Sequence, residues 1–308
     1  MNYKIIVLPL ALSIVVAMSL LTEPSGKQPP TNASSIEPSH NTISQQARQA
    51  SYADLTGLAP PPYQPAADCA LIQPNAYLQG CNFHQQSLQD KDLHGSDLSH
   101  TRLHGVLGKA NLTDAKLIGA TVIGRLEINA ETVLTNADLS GLYSDGNNPV
   151  LAESAQLSGV KLTKAQLYGA NLKQALLDNA DLSKAVLTGA NLQATHLEQA
   201  NLSGSDLTNT DLSSSVLTHA VLKQADLTEA NLTGADLTAS DLTHANLAGT
   251  DLANARLTGV DLSNADLSGA KHTDSVLIDT DTIFLHAICP DGVEVDGTQV
   301  ITCVGHGF

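Results

Sequence analysis

Tryptophan is absent from this 308-residue chain, and other large rings are scarce, with three Phe and six Tyr. Aromatic residues make up only 3% of the chain, although apolar residues make up 42%. A compact globular core is normally filled with large rings and branched side chains, so this composition argues against an ordinary globule. The apolar residues are mostly Leu and Ala, which suits a narrow interior built repeatedly from one large and one small residue.

Basic residues are also few, with 15 Lys and Arg against 31 Asp and Glu, for a formal net charge of −16. Such a chain repels nucleic acids and anionic membrane surfaces. The excess of Asp and Glu has three alternative interpretations: it keeps the protein soluble, it attracts basic partners, or it imitates a nucleic acid. The sequence therefore predicts no nucleic-acid partner.

Charged residues are missing from Ile5 to Leu21, an apolar run that follows Met-Asn-Tyr-Lys. A basic residue before such a run is typical of an export signal, and Ala17-Met18-Ser19 supplies small residues for cleavage. The run is short for a membrane span of about 20 residues. Residues 1–21 are predicted to be a signal peptide, with an uncleaved inner-membrane anchor as the alternative. We expect the protein in the periplasm or outside the cell, with membrane contact only through this segment.

Cysteine is missing from residue 82 to residue 288, and the four cysteines of the chain form one local pair on each side of that gap. Neither pair has the C-x-x-C spacing of a zinc site. In an exported chain, an even number of cysteines favours disulfides over a redox or metal role. The sequence predicts the bridges Cys69–Cys81 and Cys289–Cys303, each contributing about 3 kcal/mol in the chain-entropy description.

Catalytic motifs are absent as well: the chain has no Gly-rich phosphate loop, no G-x-S-x-G and no H-E-x-x-H. Paired carboxylates occur only at repeated, water-facing positions, where nothing raises a pKa. The sequence therefore predicts a protein that is not an enzyme and that has no cofactor.

A five-residue repeat is what the chain has instead, with Leu at every fifth position from Leu157 to Leu267. Ala, Ser, Thr or Val stands two places before each Leu, and mostly Asp or Asn lies between them. A period of five fits no helix, strand or coiled coil. In extended backbone, Leu and the small residue two places before it point the same way, so the other three positions must turn the chain and face water. The pattern predicts a polygonal coil whose stacked turns pair about 4.8 Å apart.

This tandem pattern, seen at Ala180-Asp181-Leu182 and Ala265-Asp266-Leu267, resembles the signature of the pentapeptide-repeat protein family, here of an exported bacterial type. The resemblance implies an all-β solenoid, a right-handed quadrilateral β-helix with four repeats in each coil. It also implies that Leu and the small residue before it point inward, in agreement with the pattern. The two predicted disulfides would close the ends of the coil.

Breaks in the repeat divide the chain. Residues 22–66, rich in Pro, Ser, Gln and Asn, are predicted to be a disordered linker. Residues 67–122 form an N-terminal cap and the first coils, in a frame that slips by one residue near Leu107. The frame is lost from about Ile123 to Leu151, so 123–154 is predicted to be an irregular zone with a protruding loop at 141–149. Regular β-helix follows over 155–282 and a C-terminal disulfide cap, built on a small hairpin, over 283–308.

Departures from the repeat supply the candidate contact residues. The loop contributes Tyr143, Asp145 and Asn147, because insertions in solenoids often bind partners; a neutral insertion is the alternative. A second group occupies the outward Asp/Asn position in successive coils, where polar residues are the rule: Leu176, His196 and Val216. His84 and His104 are predicted to stack, but spacing shows no third ligand, so no metal site is predicted.

Two hypotheses about function follow. The first is an exported, non-catalytic scaffold that binds an unidentified protein of the cell envelope or exterior, or a second copy of itself. The second is a DNA-mimicking modulator of a type II topoisomerase, because the resemblance includes cytoplasmic DNA mimics and acids predominate beyond residue 205. The second hypothesis requires that residues 1–21 are not an export signal.

Overall fold

A computed structural model of the chain describes residues 67–84, 86–144, 147, 149–296 and 302–308. These residues belong to one compact unit, Gln64–Phe308. The predicted signal peptide (1–21) and linker (22–66) lie outside them. Within the described ranges, no helix has the length and apolar character needed to cross a membrane.

The interior is a row of leucines flanked by a row of small residues. Every Leu of the series from Leu157 to Leu267 is buried, and Leu187, Leu212 and Leu237 are fully so. The residue two places before each Leu is buried in the same way, as at Ala185 and Ala235. Each buried Leu contributes roughly 1.5–3 kcal/mol, whereas fixing each backbone residue costs roughly 1–2 kcal/mol. A single coil is therefore unstable alone, and stacking on its neighbours makes it stable.

A tight turn follows each Leu. In one repeat, the amide of Ala180 donates to the carbonyl oxygen of Leu177 at 3.0 Å, and Asn179 between them has a φ of 59°. A positive φ at the third residue of a four-residue turn is typical of a type II turn. The same position has positive φ in repeat after repeat, which explains why Gly and Asn recur there.

Parallel pairing stacks one coil on the next at a sequence offset of 20. The amide of Leu177 donates to the carbonyl oxygen of His196 at 2.7 Å, and the amide of His196 donates to that of Ala175 at 3.0 Å. The paired residues line up in four columns, named here after one member each: the Leu176, Asp181, Val186 and Asn191 columns. This architecture is a β-helix with its core running along the inside of the coil.

The Asp or Asn of each repeat supplies a hydrogen bond that the backbone cannot. The amide directly after each Leu has no carbonyl partner in the stack, and the Asp or Asn one place before the Leu accepts from it. Ser183 donates to Asp181 Oδ1 at 3.0 Å, and Ser203 donates to Asn201 Oδ1 at 3.1 Å. This short Asx turn explains the polar residue between the two inward residues.

Strands longer than single bridges lie between residues 102 and 167 of the described chain. They are β1 (Arg102–Val106), β2 (Thr121–Glu127), β3 (Tyr143–Ser144), β4 (Val150–Leu151) and β5 (Gln166–Leu167), and a 3₁₀ helix (Thr273–Ser275) lies near the C-terminal end. The five strands form one parallel sheet in the order β1-β2-β3-β5, with β4 also paired to β2.

The coil continues through the zone that the sequence predicts to be irregular. Leu126, Leu134 and Leu142 are buried in it, as is Ser144. Coil length changes instead: the offset is 22 between Asp114 and Asn136, against 20 in the regular coils. Extra residues are accommodated between inward positions, which a search for a fixed period of five cannot follow.

Both predicted disulfides are present at the ends of the described coil, with Cα–Cα distances of 5.6 Å for Cys69–Cys81 and 5.3 Å for Cys289–Cys303. Cys81 is buried at an inward position. At the other end, Ile288 and Glu294 form an antiparallel bridge, and the ring of Phe308 lies 5.6 Å from that of Phe284. The last coil is thus covered by its own tail.

Candidate functional site

The Leu176 column carries three non-acidic residues in successive coils. Leu176 pairs with His196, and His196 pairs with Val216, each through a parallel bridge. Leu176 and Val216 are half-buried and His196 is exposed. The column continues into Asp236 and Arg256, whose side chains lie 3.6 Å apart. A small apolar surface with a charged border therefore lies on one side of the coil.

This apolar surface lacks the Asx hydrogen bond of the regular repeat. Leu, His and Val at the outward position cannot accept from the amide two places later in the way that Asp181 does. The amide of Glu198 instead donates to Asp178 Oδ1 of the preceding coil at 3.0 Å. At His196 the lost acceptor is thus replaced, whereas Leu176 and Val216 give up the Asx hydrogen bond of the regular repeat, which is a cost in stability.

The residues of the loop predicted at 141–149 lie away from the Leu176 column. Tyr143 is in β3, 45% exposed, and it pairs with Thr121 and Gln166, in line with the Val186 column. The residues Gly141 to Ser144 are thus part of the coil, although the sequence predicts that the protruding loop begins at 141. Asp145 lies outside the described residues.

Asn147 is exposed and borders a surface depression of about 330 Å³, which it shares with Arg125, Pro149 and Leu151. Leu151 belongs to the Asn191 column. Tyr143, Asn147 and Leu176 therefore stand in or beside three different columns, and the structure does not bring the two predicted groups together into one surface.

Carboxylates line two other columns, where Asp206 pairs with Asp226 and Asp241 with Asp261. Burial raises the pKa of Asp206, but hydrogen bonds from the side chain and amide of Thr208 and from Thr188 outweigh it, so that this pKa is lowered. Within the described ranges, six carboxyl groups have a displaced pKa, and in each the pKa is lowered: Asp92, Asp181, Asp206, Asp251, Asp279 and Asp291. These groups are ionised at neutral pH and are unsuited to general acid catalysis.

Histidines 84 and 104 do lie against each other in adjacent coils, in an edge-to-face contact with ring centroids 5.0 Å apart. No group of three or more His, Cys, Asp or Glu side chains with metal-binding geometry occurs in the part of the chain that the structure describes. Sequence spacing finds this pair, but it does not reveal the strand irregularity that orients His104.

The sequence profile of the pentapeptide repeat family, which spans eight copies of the repeat, matches this chain. The matched segments are 76–107, 155–193, 165–204, 195–234, 205–243 and 235–271. No curated protein matches the chain significantly by sequence.

Solved structures of several pentapeptide repeat proteins are similar to this chain. HetL, involved in heterocyst differentiation regulation in the cyanobacterium Nostoc sp. strain PCC 7120, is 30% identical, with 72% of this chain and 90% of HetL covered and a TM-score of 0.34. QnrB1, a plasmid-mediated fluoroquinolone resistance protein, is 18% identical over 58% of this chain and 90% of its own, with a TM-score of 0.40. A thylakoid-lumen protein of Arabidopsis thaliana is 27% identical over 37% of this chain and 69% of its own, with a TM-score of 0.23.

The repeat, the stacked coils and the HetL identity define the class: this chain belongs to the pentapeptide repeat family. Proteins of this family are in general structural or interaction proteins rather than enzymes, and no catalytic family is indicated.

Proposed function

We propose that this protein is an exported, non-catalytic scaffold that binds another protein of the cell envelope or exterior through the Leu176 column. One observation carries the proposal: Leu176, His196 and Val216 follow one another in one column, at positions where the repeat mostly places a carboxylate or amide that bonds to the backbone. Binding of a partner protein to this apolar surface would explain why the chain gives up the local hydrogen bond there.

Export is supported by the two disulfides, because such bridges persist in oxidising compartments. The run from Ile5 to Leu21 supports it from the sequence. We assign to the coil the right-handed, four-sided course that the family resemblance implies, supported by the four columns of paired residues.

Fractionation of cells, followed by N-terminal sequencing of the mature protein, tests export. The expected result is a chain in the periplasm or medium that starts after residue 19 or nearby, with both disulfides oxidised. A mature protein found in the cytoplasm with free thiols contradicts the proposal.

The variants Leu176→Asn and Val216→Asn test the binding surface. Asn restores an Asx acceptor, so both variants are expected to be at least as stable as the wild type, by up to about 1 kcal/mol each. Both are nevertheless expected to lose cross-linking to the envelope partner, because the apolar surface becomes polar. Thermal unfolding and cross-linking on intact cells measure the two effects separately.

Val186→Asn is the matched control, since Val186 has the same place in its repeat but lies in another column. It is expected to gain stability and keep the partner. Loss of the partner in all three variants, or in none, contradicts the assignment of this face. Sedimentation of the same proteins shows whether the partner is a second copy of the chain.

The second candidate, a DNA mimic acting on a type II topoisomerase, is favoured by the carboxylate columns. Asp241 and Asp261 are paired across adjacent coils, where equivalent positions lie about 4.8 Å apart. A supercoiling assay with the purified protein decides this candidate: no effect at micromolar concentration removes it.

A further inference from the structure

A β-bulge interrupts the coil at His104. Leu103 of β1 pairs with Val122 of β2, but Gly105 pairs with Leu126, so the register shifts between Leu103 and Gly105. The extra residues lie in β2, where Ile123, Gly124 and Arg125 stand opposite the single residue His104 of β1. Bulges bend the strand that carries the extra residues and are common beside functional sites.

Glycine at position 124 on the neighbouring coil leaves room for the imidazole of His104. Gly124 has a φ of +150°, and a Cβ atom added there would lie 2.9 Å from His104 Nε2. Such a contact is too close for any other residue, so Gly124 leaves the space that the ring occupies. His104 is thus held from one side by the coil that follows it.

His84 faces His104 from the coil before it. The two ring centroids are 5.0 Å apart, and the ring planes are inclined at 70°. Two imidazoles bound to one metal ion through M–N bonds of about 2.0–2.1 Å, at an angle between perpendicular and tetrahedral, have centroids roughly 4.5–5.2 Å apart. The observed separation falls within that range, and both histidines are exposed to solvent.

An open depression of about 170 Å³ surrounds the two rings and includes Gln86 and Ser87 in its lining. Their amide and hydroxyl oxygens, together with water, are suitable donors for the remaining positions around an ion. Two nitrogen and several oxygen donors suit the tetragonal geometry of Cu²⁺, which also binds most tightly among the first-row divalent ions.

We propose that His84 and His104 form a two-imidazole binding site for a divalent late transition-metal ion, with Cu²⁺ bound most tightly. This pair differs from the His–carboxylate pairs of the surface. His94 Nδ1 lies 2.9 Å from Asp92, and His272 Nδ1 lies 2.8 Å from Asp251. In those pairs one ring nitrogen is engaged by a carboxylate. The proposal is independent of the binding partner proposed above.

Titration of the full, disulfide-intact chain with CuCl₂, followed by electron paramagnetic resonance, tests the site. The wild type is expected to bind one ion with hyperfine structure from two imidazole nitrogens. His84→Gln and His104→Gln are each expected to weaken this binding about tenfold or more and to remove one nitrogen from the spectrum.

His219→Gln is the matched control: an exposed histidine of the regular repeats that lies outside both the His84–His104 pair and the Leu176 column. It is expected to leave both affinity and spectrum unchanged. Circular dichroism checks that the variants remain folded, and the rise in melting temperature with CuCl₂ gives a second reading of binding to the folded state. Equal copper affinity in all four proteins, or a spectrum with a single nitrogen in the wild type, overturns the proposal.

Discussion

Buried hydroxyl groups occupy the small inward position in several repeats. Most of them donate to the carbonyl oxygen of the Leu three residues earlier, as Ser205 does to Leu202 at 2.8 Å and Ser215 to Leu212 at 2.7 Å. Ser240 is equally buried, but its hydroxyl has no hydrogen-bond partner in the described part of the molecule. An unpaired buried hydroxyl is destabilising relative to a methyl group of similar size.

Replacing these two serines is therefore expected to have opposite effects. Ser205→Ala should lower the free energy of unfolding by about 1 kcal/mol, because it removes a buried hydrogen bond. Ser240→Ala should leave it unchanged or raise it by about 1 kcal/mol, because it removes only the unpaired group. Urea denaturation of both variants measures the difference, and equal losses would show that Ser240 is in fact paired.

At the scale of the element, the corner turn is the unit that repeats. Ala239 has a φ of 57° at such a corner, where an L-residue is strained by roughly 1–2 kcal/mol and Gly is not. Glycine costs about 0.5–1 kcal/mol of its own in lost chain entropy. Ala239→Gly is thus expected to be neutral or to stabilise the protein by up to about 1 kcal/mol, as measured by thermal unfolding.

The control for this corner is Ala235→Gly, two residues before Leu237. Ala235 is fully buried on the inward row, so this variant loses a packed methyl group without relieving any strain, and we expect a loss of about 1 kcal/mol or more. A larger loss at Ala239 than at Ala235 would refute the role of the corner conformation.

The sequence predicts the regular five-residue repeat well, but it predicts little of the places where the coil departs from that repeat. A strict period identifies the inward Leu and the small residue, and cysteine spacing identifies both disulfides, since these depend on local order. The continuation through Leu126, Leu134 and Leu142 was not predicted, because residues inserted between inward positions destroy the period without interrupting the stack. The bulge at His104 depends on Gly124 of the next coil, and no local pattern contains that contact.

At the scale of the whole molecule, two carboxyl groups near the C-terminal end of the solenoid make that end sensitive to acid. Asp279 accepts from the amide of Gly259 at 2.9 Å, and Asp291 accepts from the amide of Val293 at 3.0 Å. These backbone hydrogen bonds are the largest influences that lower the pKa of each carboxyl group below 3.8. Both contacts join the last coils or close the terminal hairpin.

Because the folded-state pKa values are lowered, the stability that these groups contribute is present above pH 3.8 and is lost as the pH falls through the lower, folded values. Hydrogen exchange is therefore expected to show the Gly259 amide losing protection in acid before amides in the central coils. Asp279→Asn keeps an acceptor oxygen but cannot titrate, so its Gly259 protection should depend less on pH. Uniform loss along the whole coil would contradict a local effect.

The disulfides at the two ends have a mechanical consequence. Each coil contacts only its neighbours, so tension applied to the chain ends acts first on the outermost coils and peels them one at a time. Those are the coils that carry Cys69–Cys81 and Cys289–Cys303. A pulling force must be transmitted through a covalent bridge before it reaches the leucine interior, which makes the oxidised protein a tether whose ends resist unravelling.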